Sequence, residues 1–161
     1  MRRSWQTARR VAAASDRGWP PATMRVDWRT ALVLPTPRAL LGDRLEVLVG
    51  VDDAIVEGIE AGAVGWIAGL ANAFPVESVA LHRLAREGRK EEALELYRWF
   101  LPLLRMDTVP KFVQLIKLVQ EKVGRGSARV RPPRLALDGQ ELSEALATID
   151  HALAARPRLV R

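Results

Sequence analysis

The 161-residue sequence contains no cysteine, a single tyrosine and only two histidines. The absence of cysteine excludes disulfides, thiolate metal sites and thiol nucleophiles, and it fits a cytoplasmic protein. The histidines, His82 and His151, have no metal-ligand spacing around them, so no metal site is predicted. No uncharged run reaches the ~18–20 residues that a membrane span needs. The arginine-rich start lacks the apolar segment of a targeting peptide after Arg10.

The formal net charge of +6 belongs entirely to the first quarter of the chain. Residues 1–44 hold nine arginines against three aspartates, whereas residues 45–161 hold sixteen basic and sixteen acidic side chains. A nucleic-acid-binding face would place its charge on the folded elements. Binding to DNA or RNA is therefore disfavoured, and no membrane partner is expected.

Residues 1–37 differ in composition from the rest of the chain. They hold three of the five tryptophans and four of the ten prolines, but no Lys, Glu, Ile, Phe or Tyr. Their hydrophobic pattern predicts only a short helix at Thr7–Ala14 and a short strand at Ala31–Leu34. Translation of GC-rich DNA in a wrong reading frame produces such a composition, and a disordered tail is the alternative. We therefore interpret residues 1–37 as a frameshift-derived or disordered N-terminal segment.

From Arg38 onward the pattern becomes regular and predicts an α/β fold. The predicted elements alternate along the chain: strand Leu45–Val49, helix Ala54–Ala61, strand Val64–Ala68 and helix Val76–Arg86. This order is typical of a right-handed βαβ unit in a parallel sheet. Asp52 or Asp53 is expected to cap the first helix, and Gly62 to end it.

Three further helices are predicted beyond Gly88. They are Lys90–Leu104, a helix from Asp107 or Thr108 to about Val123, and a last helix from Asp138 or Gly139 to about Ala155. Tyr97, Trp99 and Phe100 lie in the first of them, and we expect them in the core or at a subunit contact.

Several motifs in this region resemble one family. They are Gly50-Val-Asp-Asp53, Gly62-Ala-Val-Gly-Trp-Ile-Ala-Gly69 with Asn72, Tyr97-Arg-Trp-Phe-Leu-Pro-Leu-Leu104, Asp107-Thr-Val-Pro-Lys-Phe-Val-Gln-Leu-Ile-Lys117 and Gly126-Ser-Ala-Arg-Val-Arg-Pro-Pro-Arg-Leu135. In this order they are similar to the dihydrodipicolinate synthase / N-acetylneuraminate lyase family, whose members are Schiff-base barrels that act on pyruvate. The resemblance runs from about Arg38 to the C-terminus.

The resemblance implies a partial TIM (β/α)8 barrel followed by a three-helix C-terminal extension. Residues 38–88 would form the last two βα units of the barrel, residues 89–161 the helical extension, and residues 1–37 would lie outside the family sequence. Because two strands leave unpaired sheet edges, we also expect self-association into a homo-oligomer. We expect the protein to be cytoplasmic.

Candidate binding residues follow both predicted strands, at the C-terminal strand ends where barrel active sites are built. They are Gly50, Asp52 and Asp53 after the first strand, and Ile67, Ala68 and Gly69 at the end of the second. The resemblance implies that the first three contact a substrate beyond its pyruvate moiety and that the last three line the pyruvate pocket. The alternatives are that the aspartates only cap the following helix and that Ile67–Gly69 only packs the barrel.

The family mechanism needs a lysine that condenses with the keto group of pyruvate to give an imine. The resemblance places this lysine on the sixth barrel strand, near residues 15–30, but no lysine precedes Lys90. No catalytic residue and no cofactor are therefore predicted. The chain is interpreted as the C-terminal fragment of a lyase acting on pyruvate or another 2-keto acid, inactive alone. The alternative is a non-catalytic remnant or a helical association module.

Overall fold

A three-stranded parallel sheet begins the part of the chain that the computed structural model describes, which comprises residues 22–26 and 45–159. Its strands are β1 (Ala22–Val26), β2 (Leu45–Val49) and β3 (Gly65–Trp66), in the order β1-β2-β3. Met24 pairs with Val47, and Leu48 pairs with Gly65. The predicted parallel βαβ arrangement is confirmed, with β3 shorter than expected. The elements predicted at Thr7–Ala14 and Ala31–Leu34 lie outside the described residues.

Strand β1 is an addition to the predicted sheet, since the sequence pattern indicates no strand at Ala22–Val26. Its five residues each pair with one residue of β2, so the whole length of β1 is engaged in the sheet. The sheet therefore extends into the segment whose composition sets it apart from the rest of the chain.

Within residues 45–159, five helices surround and follow the sheet. They are α1 (Ile55–Glu60), α2 (Pro75–Arg86), α3 (Lys90–Leu104), α4 (Phe112–Lys122) and α5 (Gly139–Ala154). Short 3-10 turns lie at Asp52–Ala54, Leu70–Asn72 and Arg105–Thr108. All five helices were expected, and α3 has the predicted bounds. Within the described ranges no helix is both long and apolar enough to cross a membrane.

The ends of the first helices depend on glycine. Gly62 and Gly88 follow α1 and α2 with φ values of 97° and 69°, which residues with a Cβ rarely adopt. The predicted cap at the start of α1 is wrong, since its N-cap is Ala54, whereas the last helix starts at Gly139 after Asp138, as predicted. Asp52 and Asp53 lie inside a 3-10 turn whose N-cap is Val51, and no side-chain bond caps it.

The start of α4 also lies at a different residue from the one predicted. Its N-cap is Lys111, not Asp107 or Thr108. The Thr108 hydroxyl instead donates to the carbonyl of Arg105, 2.8 Å away, inside the preceding 3-10 turn. Thr108 therefore does not cap α4, and no side-chain hydrogen bond caps the start of this helix.

The aromatic residues of α3 lie in the core, as expected. Trp99 stacks on Phe100 with ring centroids 5.1 Å apart, and Phe74 meets both rings edge-on. The buried Glu77 of α2 pairs with Arg156 at 2.7 Å, which ties the segment after α5 to the start of α2. These contacts join the extension helices to the helix that follows β3.

Candidate functional site

The six predicted binding residues meet at one edge of the sheet. Because β2 and β3 are parallel, their carboxyl ends lie at the same edge, and the residues that follow them are neighbours. The amide of Ile67 donates to the carbonyl of Val49 at 2.8 Å, so the two strand ends are held in register. Of the six residues, Asp52 and Gly69 are joined directly by a hydrogen bond, 3.0 Å long, between the amide of Gly69 and the carboxylate of Asp52.

Asp52 is the most constrained of these residues. Its side chain is fully buried. One carboxylate oxygen accepts hydrogen bonds from the indole Nε1 of Trp66 at 3.2 Å and from the amide of Gly69 at 3.0 Å. The other accepts from the amide of Leu70 at 2.7 Å. All three donors belong to β3 or to the segment that follows it, so Asp52 links the end of β2 to that segment.

The protonation of Asp52 is shifted by its surroundings. Burial raises the pKa of its carboxyl group to about 6, and the negative charge of Asp107 acts in the same direction. The three hydrogen bonds oppose this rise because they favour the carboxylate. The backbone amide of Asp52 also donates to Asp107 at 3.4 Å, a long bond. Asp107 lies in the turn after α3, so the extension contributes directly to this site.

Asp53 has a different environment from that of its neighbour. It is half-buried, and its Oδ1 atom is buried without a hydrogen-bond partner in the described part of the chain. Burial raises the pKa of its carboxyl group, and the positive charge of Arg105 opposes the rise. Asp53 thus carries a buried acceptor atom that no donor among the described residues uses.

Tyr97 fixes the backbone of Asp53 from the extension. Its hydroxyl donates to the carbonyl of Asp53 and lies 3.3 Å from both carboxylate oxygens of Glu57. Burial, together with the negative charge of Glu57, raises the pKa of the Tyr97 hydroxyl above its usual range. The hydroxyl therefore stays protonated and acts as a hydrogen-bond donor.

Gly69 occupies a position with no room for a side chain. A Cβ atom there would lie 2.7 Å from Cδ1 of Ile116, 3.3 Å from Oδ1 of Asp107 and 3.4 Å from Oδ2 of Asp52. Strand end, extension helix and turn therefore converge on this glycine. Ile67, two residues earlier, is 45% exposed, so the segment has one packed end and one open end.

The lysines lie away from the strand ends. Lys90 pairs with Glu60, Lys111 with Glu141 and Lys122 with Asp150, all between helices or their ends. Lys117 lies on α4. In the described ranges no group of three or more His, Asp or Glu side chains is arranged to hold a metal ion.

Two open cavities lie between helices rather than at the strand ends. One, of about 660 Å³, is lined by the outer face of α2 and by Arg158 and Leu159. The other, of about 640 Å³, lies between α1, α2 and the start of α3. None of the six predicted binding residues lines either of these two cavities.

Sequence reasoning missed two members of the site. Trp66 and Asp107 both act on Asp52, yet the sequence marks one only as a strand residue and the other only as a candidate helix cap. The sequence did hint that these two residues matter, because both lie in motifs that resemble the family. Spacing along the chain does not show that residues 52 and 107 meet.

Comparison with known proteins identifies the fold. The sequence model of the dihydrodipicolinate synthetase family matches residues 34–152. A 4-hydroxy-tetrahydrodipicolinate synthase from Thermomicrobium roseum is 33% identical over 122 residues, which cover 73% of this chain and 40% of the relative. The chain thus spans less than half the length of this relative.

Solved structures of such synthases share the α/β fold of this chain. The 4-hydroxy-tetrahydrodipicolinate synthase from Methylacidiphilum fumariolicum SolV superposes with a TM-score of 0.72 at 24% identity, over 83% of this chain and 46% of that one. Dihydrodipicolinate synthase from Aquifex aeolicus gives 0.71 at 20% identity, over 83% and 44%. Together with the family match, these likenesses confirm the resemblance found in the sequence. The chain belongs to the dihydrodipicolinate synthetase family.

Proposed function

We propose that this chain is the C-terminal part of a lyase that acts on pyruvate or another 2-keto acid through a lysine Schiff base. The observation that carries the proposal is the convergence of the two strand ends. Gly50, Asp52 and Asp53 lie beside Ile67–Gly69 at the carboxyl edge of a parallel sheet, the edge where barrel enzymes bind their substrates.

The proposed architecture is a part of a TIM barrel. Residues 38–88 supply the last two βα units, and residues 89–161 supply a three-helix extension containing α3, α4 and α5. Residues 1–37 are proposed to have a different origin from the family sequence, apart from residues 34–37, where the family match begins. The boundary at residue 37 marks a change in amino-acid composition. It does not mark the edge of the sheet, because β1 lies before it and pairs with β2.

The roles of the site residues follow from their surroundings. The Ile67–Gly69 segment supports pyruvate, partly through backbone groups, while the half-buried carboxylate of Asp53 contacts a substrate group beyond the pyruvate moiety. Gly50, which is buried at the end of β2, keeps side-chain atoms out of the space beside that strand end. Tyr97 holds the Asp53 backbone in place for this contact.

The nucleophile must come from elsewhere. Imine formation requires a lysine close to the keto group, and the lysines of this chain lie on α3, α4 or between helices. Strand β1 falls in the interval where the resemblance places the lysine-bearing strand, yet its sequence is Ala-Thr-Met-Arg-Val. The chain alone is therefore proposed to be inactive. Another copy or another polypeptide would complete the barrel in the cytoplasm, since the outer edges of β1 and β3 favour self-association.

Reductive trapping tests the proposal. The full chain is incubated with pyruvate and borohydride, and its mass is measured. The 4-hydroxy-tetrahydrodipicolinate synthase of Thermomicrobium roseum serves as the positive control. We expect no reduced pyruvyl adduct on this chain, together with a saturation-transfer NMR signal showing that pyruvate binds. An adduct on any of the four lysines would overturn the missing-nucleophile argument, and the absence of pyruvate binding would overturn the proposed binding site.

A further inference from the structure

In the described part of the chain, the carboxylate of Asp52 accepts its hydrogen bonds from a single segment, residues 66–70. The indole of Trp66 and the amides of Gly69 and Leu70 donate to its two oxygens over distances of 2.7 to 3.2 Å. The side chain is 0% exposed. A buried carboxylate held by three donors is a fixed structural contact, because breaking it leaves buried amides without an acceptor.

We propose that Asp52 is a positioning residue, whose buried carboxylate sets the course of Ile67–Gly69 and thereby shapes the pyruvate-binding wall without touching the substrate. The inference rests on the proposed function for its link to pyruvate. The positioning itself is a property of this chain and can be measured without any substrate.

The geometry separates the roles of the two adjacent aspartates. Both oxygens of Asp52 accept bonds from protein donors and the side chain is fully buried, so a substrate group could reach it only if the surrounding segment moved. Asp53 is only half-buried, whereas Asp52 is fully buried. A substrate contact therefore suits Asp53, whereas Asp52 acts on the segment after β3.

The packing around Gly69 explains how this fixed contact reaches the extension. A Cβ at Gly69 would lie 2.7 Å from Ile116 of α4, 3.3 Å from Asp107 and 3.4 Å from Asp52, so these three side chains crowd the same side of the glycine. Asp52 holds the backbone amide of Gly69, and Ile116 packs beside the same residue. The extension helices thus take part in shaping the wall.

Amide hydrogen exchange on the full chain tests the positioning step. In Asp52→Ala the amides of Gly69 and Leu70 should exchange about tenfold faster than in the wild type, because each loses its acceptor. The amides of α5 should keep their exchange rates. Asp53→Ala is the matched control, since its carboxylate makes no bond to these amides, and it should leave their exchange unchanged.

Two results would overturn the positioning role. One is unchanged exchange at Gly69 and Leu70 in Asp52→Ala, and the other is an equal acceleration in Asp53→Ala. If Asp52→Ala does not fold, Asp52→Asn replaces it. The asparagine keeps one acceptor oxygen, so we expect faster exchange at only one of the two amides. If both amides exchanged in Asp52→Asn at the same rates as in the wild type, the inference would be contradicted.

Pyruvate affinity tests the link to the wall. Asp52→Ala should weaken pyruvate binding at least about fivefold, because the segment that lines the pocket loses its anchor. If Asp52 contacted only the distal part of a substrate, its removal would leave pyruvate affinity unchanged. Asp138→Ala, at an exposed position that makes no capping bond, controls for the loss of a carboxylate. Unchanged affinity in Asp52→Ala would refute the link. If the wild-type chain binds no pyruvate, the proposed function fails, while the exchange measurement still decides the role of Asp52.

Discussion

Removal of the Asp52 carboxylate should change how the stability of the chain depends on pH. In the folded chain the pKa of this group is raised from 3.8 to about 6, mainly by burial. The folded state therefore holds the proton more tightly than the unfolded state. The stabilising effect of the bound proton is complete below about pH 4 and is lost as the pH rises through about 6. A difference of about two pKa units corresponds to about 3 kcal/mol.

The measurement compares urea unfolding of the wild type and of Asp52→Ala at several pH values between about 4 and 7.5. Both proteins share all other titrating groups, so the difference between their free energies of unfolding isolates Asp52. This difference should be largest at about pH 4 and should shrink by about 3 kcal/mol by pH 7.5. Stability curves that run parallel across this range would refute the argument, since they would mean that Asp52 ionises normally in the folded chain.

Three further perturbations test other parts of the account. Gly69→Ala should cost about 1–3 kcal/mol because its Cβ meets Ile116, and adding Ile116→Val should recover part of the loss in thermal unfolding. Arg156→Ala should cost about 2 kcal/mol, since it leaves the buried Glu77 without its cation, and Glu77→Gln in the same chain should recover part of it. A like effect from the exposed Arg89→Ala would contradict this reasoning. Reading the gene in all three frames should reveal, upstream of β2, a frame that encodes the family strand with its lysine; finding none would leave residues 1–37 as native sequence.

The helices were predictable because their signals are local. Apolar residues repeat at helical spacing from Lys90 to Leu104, and Gly88 separates this helix from the previous one, so the bounds of α3 follow from neighbouring residues alone. Strand β2 was predictable in the same way from a run of β-type residues. Strand β1 was not, because Ala-Thr-Met-Arg-Val carries little pattern, and its pairing with β2 supplies the structure.

The candidate site was predictable in its location but not in its chemistry. Parallel strands bring their carboxyl ends together, so the order of elements was enough to place Asp52 and Gly69 at one edge. The sequence favoured equally a capping and a substrate-binding role for the aspartates. The structure shows a third arrangement for Asp52, because the donors that reach it come from a segment 14 to 18 residues away. Such contacts depend on tertiary packing, which spacing along the chain does not reveal.

The most direct test of the central claim is to locate bound pyruvate on the full-length wild-type chain by backbone amide chemical shifts. We expect pyruvate to shift the amide signals of Ile67, Ala68 and Gly69, and that of Gly50 across the sheet edge, and to leave those of α5 unchanged. Shifts confined to the helices, at the cavities beside α2, would contradict a keto-acid site at the strand ends.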